Sequence, residues 1–471
     1  MSIVQPTYQV EWAPAGSFVD ISQYMISADI LVNTSTSSTA VAFGEQATPR
    51  TTIEVSDDIA GAAWELTPIR VFLGTGGSNI LHFSGVVASR SRNDRTITLE
   101  CEGFTRLMAN RRGYSPLFRN RPIATETTIS SIEDPANPLY HAGLINWLFW
   151  QTGGRPLDQS GTYPNAAFYY ACDRSLLTPA WTWANGERAL DELYRLARAG
   201  GGQIYQDKNG VMRYIEPLTL ASAAATATYT DAEMHSISER AVAEETIGTV
   251  RCPYTRRVLQ PLQQIYEDAT PIQIDNGQSE TIVIETQWPI WAWGTVTVSA
   301  VDGGGQAVTP TVAFVSQAAQ RAEIRVTNST GGPIVLYKMV ITGQPVGVVQ
   351  SGIESFGSGM PERELEDNPY IQNRSAAQRL CRLSHDFYRV TRPIRTLNCG
   401  FDSARFVGET IHLTYSPWGL NATPHRIISR QDGNGATMDL DCVPIGGLPV
   451  RDDFFIIGQS YAGGDTRQWG Y

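Results

Sequence analysis

The chain has 471 residues, 42% of them hydrophobic and 18% charged, enough for about three domains with real cores and too apolar for a disordered tract. A net charge of −11 argues against general affinity for nucleic acid, because an acidic surface repels phosphates. No apolar run reaches membrane-spanning length, and the first residues carry no basic stretch followed by an apolar one, which predicts folding in a cytosol.

Residues 1–110 read as strands. In "TITLECE", Ile97, Leu99 and Cys101 alternate with Thr98, Glu100 and Glu102. "IRVFLGTGGSNILHFSGVV" sets two apolar runs around a Gly-Ser-Asn turn and predicts a hairpin. Its "GTGGSN" is one glycine short of the G-x-G-x-x-G pattern and precedes a strand, whereas phosphate binding needs a helix there. The Ser/Thr-rich stretch 33–40 reads as a loop.

Residues 111–235 change character. "HAGLINWLFWQTG" predicts a helix in which Leu144, Trp147 and Leu148 share a face. "ERALDELYRLARAG" predicts another, with an apolar stripe of Leu190, Leu193, Tyr194 and Ala197. Asn185 suits its N-cap, Glu187 its first turn, and Arg195 and Arg198 its last. Gly200–Gly202 follow this helix, with Gly200 placed for a left-handed C-cap. Phosphates bind at the opposite, positive end of a helix dipole, so these glycines hold no nucleotide. A hairpin turning at Asn209-Gly210 comes next.

Strand character resumes at 236–262. Residues 263–350 hold short apolar runs at regular spacing, which predicts a small β-sandwich. "SGIESFGSG" (351–359) has Ile353 where a nucleophile elbow needs glycine and reads as a linker. Glu362, Glu364, Glu366 and Asp367 lack the spacing of a calcium loop and read as solvated linker. A helix follows, with Ala376, Leu380, Leu383 and Phe387 as its buried stripe. Cys381 and His385 share a face there but lack the further ligands zinc needs. The six cysteines form no Cys-x-x-Cys pair, which predicts buried free thiols. Strands return before a C-terminal tail at 451–471.

No catalytic, cofactor or metal motif is complete, so the chain is expected to be no enzyme and to carry no cofactor. Residues 89–122 hold eight arginines against Asp94, Glu100 and Glu102. Of these, Arg111, Arg112, Arg119 and Arg121 are candidates for ion pairs between domains or subunits. "TQWPIWAWG" carries Trp288, Trp291 and Trp293, and a strand would put Trp291 and Trp293 on one face. They serve either the sandwich core or a platform for glycans or a protein partner. Trp469 and Tyr471 are candidates for a docking tail.

The order of these pieces resembles the tail hub (baseplate hub) proteins of long-tailed bacteriophages and gene transfer agents. "FVDISQYMISADI" resembles that family's first strand, Asp-x-Ser turn and second strand. Phe83-Ser84-Gly85-Val86 resembles its Phe-x-Gly-hydrophobic step. Leu190 to Gly202, then Tyr205, Asp207, Gly210 and Tyr214, resemble its middle-domain helix, Gly-Gly cap and hairpin. "DNPYIQNRSAAQRL" and "RFVGETIHLTY" resemble parts of a second barrel, with Gly408-Glu409 where Gly-Asp is more usual. The resemblance implies a β-rich α+β multidomain fold. A first tube-like β-barrel domain covers 1–110, an α+β middle domain 111–235, and a second barrel 236–262 plus 351–450, interrupted by an inserted β-sandwich module at 263–350. It also implies a homotrimeric ring of barrels with pseudo-six-fold symmetry at the tail tip of a virion, assembled in the bacterial host cytoplasm. That ring would cap the hexameric tail tube and let DNA pass without specific binding. The implied partners are the distal tail or tube ring, the tape-measure protein, and tail tip or fibre proteins. A receptor- or carbohydrate-binding role at the host cell envelope, through the inserted module, stays open beside it.

Overall fold

The structure is a computed structural model. It describes residues 7–13, 17–33, 49–59, 64–75, 78–126, 143–157, 168–175, 177–207, 209–216, 219, 224–241, 246–389, 392–402, 404–432 and 437–445. The loop at 34–40, the tail at 451–471 and with it Trp469 and Tyr471 lie outside the described residues. The chain is β-rich. The α-helices whose bounds lie within the described residues run over Thr105–Ala109 (α1), Leu144–Gln151 (α2), Ala189–Gly200 (α3) and Arg374–Tyr388 (α4). No helix among the described residues is long and apolar enough to cross a membrane.

Among the described residues, the largest sheet has 13 strands drawn from both ends of the chain. Strands between residues 7 and 102 form one part of it and strands between 227 and 444 the other. Alternation explains their faces: in Thr96–Glu102, Ile97, Leu99 and Cys101 turn inward. The two parts join where Met25–Asn33 runs antiparallel to Leu420–Asp432, with Leu31 opposite Gln431 and Asn33 opposite Ser429. Behind the sheet, Ile53, Val71 and Leu99 pack in one core with Leu397, Ile427 and Leu440.

Two local devices shape the first part. The Asp20 carboxylate accepts from the Ser22 N–H at 2.9 Å and from its hydroxyl at 2.5 Å. The Ser22 Oγ in turn accepts from the Val10 N–H at 2.9 Å, tying this turn to the first strand. At Gly85, an added Cβ would sit 2.3 Å from the Glu102 carbonyl oxygen, so the crossing strand leaves room only for hydrogen.

Helix α3 differs at both ends from the sequence expectation. Asn185–Arg188 is a strand paired with Arg112–Tyr114, so Asn185 caps nothing and the helix starts at Ala189. Gly200 is the last helical residue. Gly201 takes the left-handed cap at φ 71°, and the Gly202 N–H reaches the Ala197 carbonyl at 2.8 Å. The expected hairpin follows as Gln203–Gln206 and Met212–Ile215. The Asp207 carboxylate organises its turn, accepting from Asn209 N at 2.9 Å, Val211 N at 3.0 Å and Arg213 Nε at 2.6 Å.

Between residues 263 and 343, two antiparallel sheets face each other across Ile284, Ile324, Val326, Leu336 and Ile341. One contains the first half of a 24-residue strand, Ile334–Gly357. The second half of that strand pairs with Thr249–Leu259. Residues 351–357 are therefore strand, not linker. Glu362–Glu364 adds a parallel edge beside Thr249–Arg251, so Glu362 and Glu364 are part of a sheet, while Glu366 and Asp367 follow it outside any strand. Pairing with the Thr249–Leu259 strand, antiparallel for 351–357 and parallel for Glu362–Glu364, satisfies the backbone there, which no local composition signal revealed. Helix α4 starts at a true cap, the Asn373 side chain accepting from Ala376 N at 2.7 Å.

Candidate functional site

The sequence-selected tryptophans separate in space. Strand Ile290–Asp302 shifts register between Ile290 and Ala292 against its neighbour, and Trp291 is the residue left out. Alternation is broken at that point, so Trp291 and Trp293 do not share a face. Trp293 packs in the module's core, 6.0 Å from the Phe314 ring, and its indole N–H donates to the Ala318 carbonyl at 3.0 Å. Trp291 meets Trp181 edge to face at 5.4 Å and remains 40% exposed. Trp288 is 37% exposed.

Trp181 belongs to a joint that fastens the module to the strands around helix α3. Leu117, Trp181, Trp183, Ala319 and Val346 form its apolar cluster. The Trp183 indole N–H donates to Gln320 Oε1 at 2.7 Å, and the Ala319 N–H donates to the Ser115 carbonyl at 2.8 Å. The Arg321 and Arg257 guanidinium groups lie over Tyr114 and Trp183, at 4.6 and 5.1 Å.

The four candidate interface arginines make contacts within the chain. Arg111 donates to the Thr152 carbonyl at 2.6 Å and Arg112 to the Gly186 carbonyl at 3.3 Å. Arg119 lies 5.4 Å over Trp181, and Arg121 4.6 Å over Phe118. Earlier members of the basic strip pair with carboxylates: Arg90 with Glu65 at 3.1 Å, Arg106 with Glu102 at 3.5 Å, and Arg92 with Asp57.

Sequence reasoning missed the most unusual polar group. Glu192 is 2% exposed, on the buried face of α3 with Ala189, Leu193, Leu196 and Ala197. Its Oε1 contacts the Tyr370 hydroxyl, and its Oε2 accepts from Arg195 Nη1 at 3.0 Å. The Tyr370 hydroxyl also contacts the Trp183 carbonyl. Burial pushes the Glu192 carboxyl up to about 7, against the pull of Tyr370 and Arg195, and burial also pushes the Tyr370 phenol well up. The segment carrying Tyr370 is fixed further. Asn368 Nδ2 donates to the Arg195 carbonyl at 2.7 Å, and Gln372 bonds the Trp181 N–H at 2.9 Å and its carbonyl at 2.7 Å. The available signal was phase: spacing from Ala189 to Leu193 and Leu196 places Glu192 inside the apolar stripe.

Other candidates serve structure. Cys381 donates to the Glu354 carbonyl at 3.4 Å, while His385 meets the Phe356 ring at 5.2 Å. Among the described residues no group of three or more His, Cys, Asp or Glu is placed to hold a metal. All six cysteines are buried free thiols. His425 is fully buried, its Nδ1 2.8 Å from the Thr423 carbonyl and its Nε2 2.5 Å from Arg395 Nη1. Those partners assign the proton to Nδ1, and burial holds the imidazole down to about 4, so it stays neutral.

No protein-family model matches the sequence, and no curated protein matches it. Among solved structures, the chain is similar to a tail protein from Neisseria meningitidis MC58, at 9% identity and a TM-score of 0.47, over 94% of this chain and 98% of that one. It is similar to the 43 kDa tail protein of prophage MuSo2 from Shewanella oneidensis, at 10% identity and a TM-score of 0.46, over 94% and 100%. It is also similar to a chain of a native gene transfer agent virion, at 10% identity and a TM-score of 0.33, over 95% and 85%. These neighbours are tail and virion proteins.

Proposed function

We propose that the chain is a structural tail hub protein of a bacteriophage-like particle, working through shape and interfaces rather than catalysis. The observation that carries the reading is the 13-stranded sheet, in which strands from the two ends of the chain join edge to edge through Met25–Asn33 and Leu420–Asp432. Two tube-like halves side by side in one chain are what three copies need to close a ring of pseudo-six-fold symmetry on a hexameric tube. The motif order from the Asp20 turn through Gly85 to the α3 cap and hairpin supports the same family. So does the acidic balance of −11, since a like-charged wall lets DNA slide without sticking. In this reading the ring sits at the tail tip, meets the tube or distal tail ring and the tape-measure protein, and carries tip or fibre proteins. Light scattering on the full chain, alone and with its tube protein, tests it. A mass of three chains is expected; a strict monomer under both conditions, with the protein absent from purified particles, sinks it.

A second reading, glycan or receptor contact through the module, is favoured by the exposure of Trp288 and of Trp291, the latter set edge to face against Trp181. It requires host-envelope glycan binding that Trp291→Ala abolishes with the fold intact.

A further inference from the structure

We propose that Glu192 and Tyr370 form a proton-operated latch between helix α3 and the segment 366–372: protonated Glu192 closes it, and loss of that proton loosens the joint. The argument begins with counting hydrogens. A tyrosine hydroxyl carries one hydrogen, and an ionised carboxylate carries none. Tyr370 Oη contacts two oxygens, Glu192 Oε1 and the Trp183 carbonyl. With Glu192 ionised, both are acceptors only, and one of two buried oxygen contacts has no hydrogen in it. With Glu192 protonated, its O–H donates to Tyr370 Oη, and the Tyr370 O–H donates onward to the Trp183 carbonyl. Both contacts are then hydrogen bonds, and the Glu192 Oε2 remains free to accept from Arg195 at 3.0 Å.

The charges around the pair do not replace that proton. On α3, Arg195 favours the ionised form and Asp191 opposes it. Arg195 also gives its second nitrogen to Glu187, on the preceding strand, at 2.5 Å, so one positive charge is divided between two carboxylates. Arg198 is engaged with Glu366. The 366–372 segment brings only acids, Glu366 and Asp367, besides Tyr370 itself. From strand Thr249–Leu259, Arg257 lies over the Trp183 ring. Glu192 and Tyr370 are 2% and 1% exposed, so water does not supply the missing hydrogen bond in the closed joint. The contacts tie three segments together: α3, the lead-in to α4, and residues 181–183, where the module is fastened.

The test is hydrogen exchange by mass spectrometry on the full chain from about pH 5.5 to about pH 8, corrected for the intrinsic rate. Peptides covering 366–372 are expected to lose protection by about tenfold per pH unit until the loss levels off near neutrality. Peptides from strand Thr96–Glu102, whose buried residues belong to a separate core, serve as the control and are expected to stay flat. Glu192→Gln is expected to abolish the dependence, because the amide still donates to Tyr370 but cannot ionise. A flat wild-type profile at 366–372, or an unchanged slope in Glu192→Gln, overturns the latch. Where Glu192→Gln fails to fold, infrared spectroscopy of the wild type decides. A protonated carboxyl band present near pH 6 and gone near pH 8 supports the latch, and its absence near pH 6 overturns it.

Discussion

Single residues in this chain are constrained by what approaches them. Gly85 is required by a carbonyl, not by a turn: any Cβ there meets the Glu102 backbone oxygen at 2.3 Å. Gly85→Ala is expected to cost about 1–3 kcal/mol, read as a lower urea midpoint with an unchanged slope. Glu192 and His425 pull stability in opposite directions with pH. The folded state raises Glu192 from 4.5 to about 7, so its contribution is full below 4.5 and is lost as pH rises through 7. It lowers His425 from 6.5 to about 4, so that contribution is full above 6.5 and is lost as pH falls through 4. Each is worth roughly 3 kcal/mol at most, and their slopes nearly cancel between the two unfolded values. Thermal melts should therefore show that Glu192→Gln, relative to wild type, falls more steeply in Tm as pH drops from 6.5 to 4.5. Neither residue stood out in the sequence, where nothing marks one acid of a helix or a lone histidine as buried. Burial is a tertiary property, and only the helical phase of Glu192 hinted at it.

Elements were more legible than residues, because capping and turn chemistry are local. The α3 helix, its glycine exit and the Asn209-Gly210 hairpin follow from side-chain spacing and φ preference alone. The cap fell one residue late, at Gly201, since three successive glycines give no local reason to choose the first. The start was misplaced because Asn185 is claimed by a strand partner, Tyr114, far back in sequence. The aromatic joint was invisible for a similar reason. Trp181 and Trp183 are unremarkable in sequence, and they matter because Trp291, Gln320 and Val346 arrive from the module. Trp183→Phe keeps the packing but leaves Gln320 Oε1 without its 2.7 Å donor. It is expected to cost about 1–3 kcal/mol locally. The sign would be faster amide exchange around 286–290 and 318–320, where Gln320 Nε2 holds the Thr286 and Gln287 carbonyls at 3.2 and 3.1 Å.

At the scale of the whole molecule, the β-rich character was plain from alternation, but the pairing of residues 31–33 with 429–431 was not. Edge strands state that they need a partner without stating which one. The same blindness turned 351–357 into an expected linker, when it is the far end of strand Ile334–Gly357. That strand has a mechanical consequence. Its contour is up to roughly 80 Å at the usual rise per residue. The module grips it at one end, and strand Thr249–Leu259, beneath α4, grips it at the other. A pull on the module along this direction would load a row of antiparallel hydrogen bonds in shear, all at once, rather than peel them apart singly. The module is thus carried on a paired strand and not on a free tether, and a force felt at its outer surface would be delivered to α4, which Glu354 of that strand meets through Arg374 and Cys381.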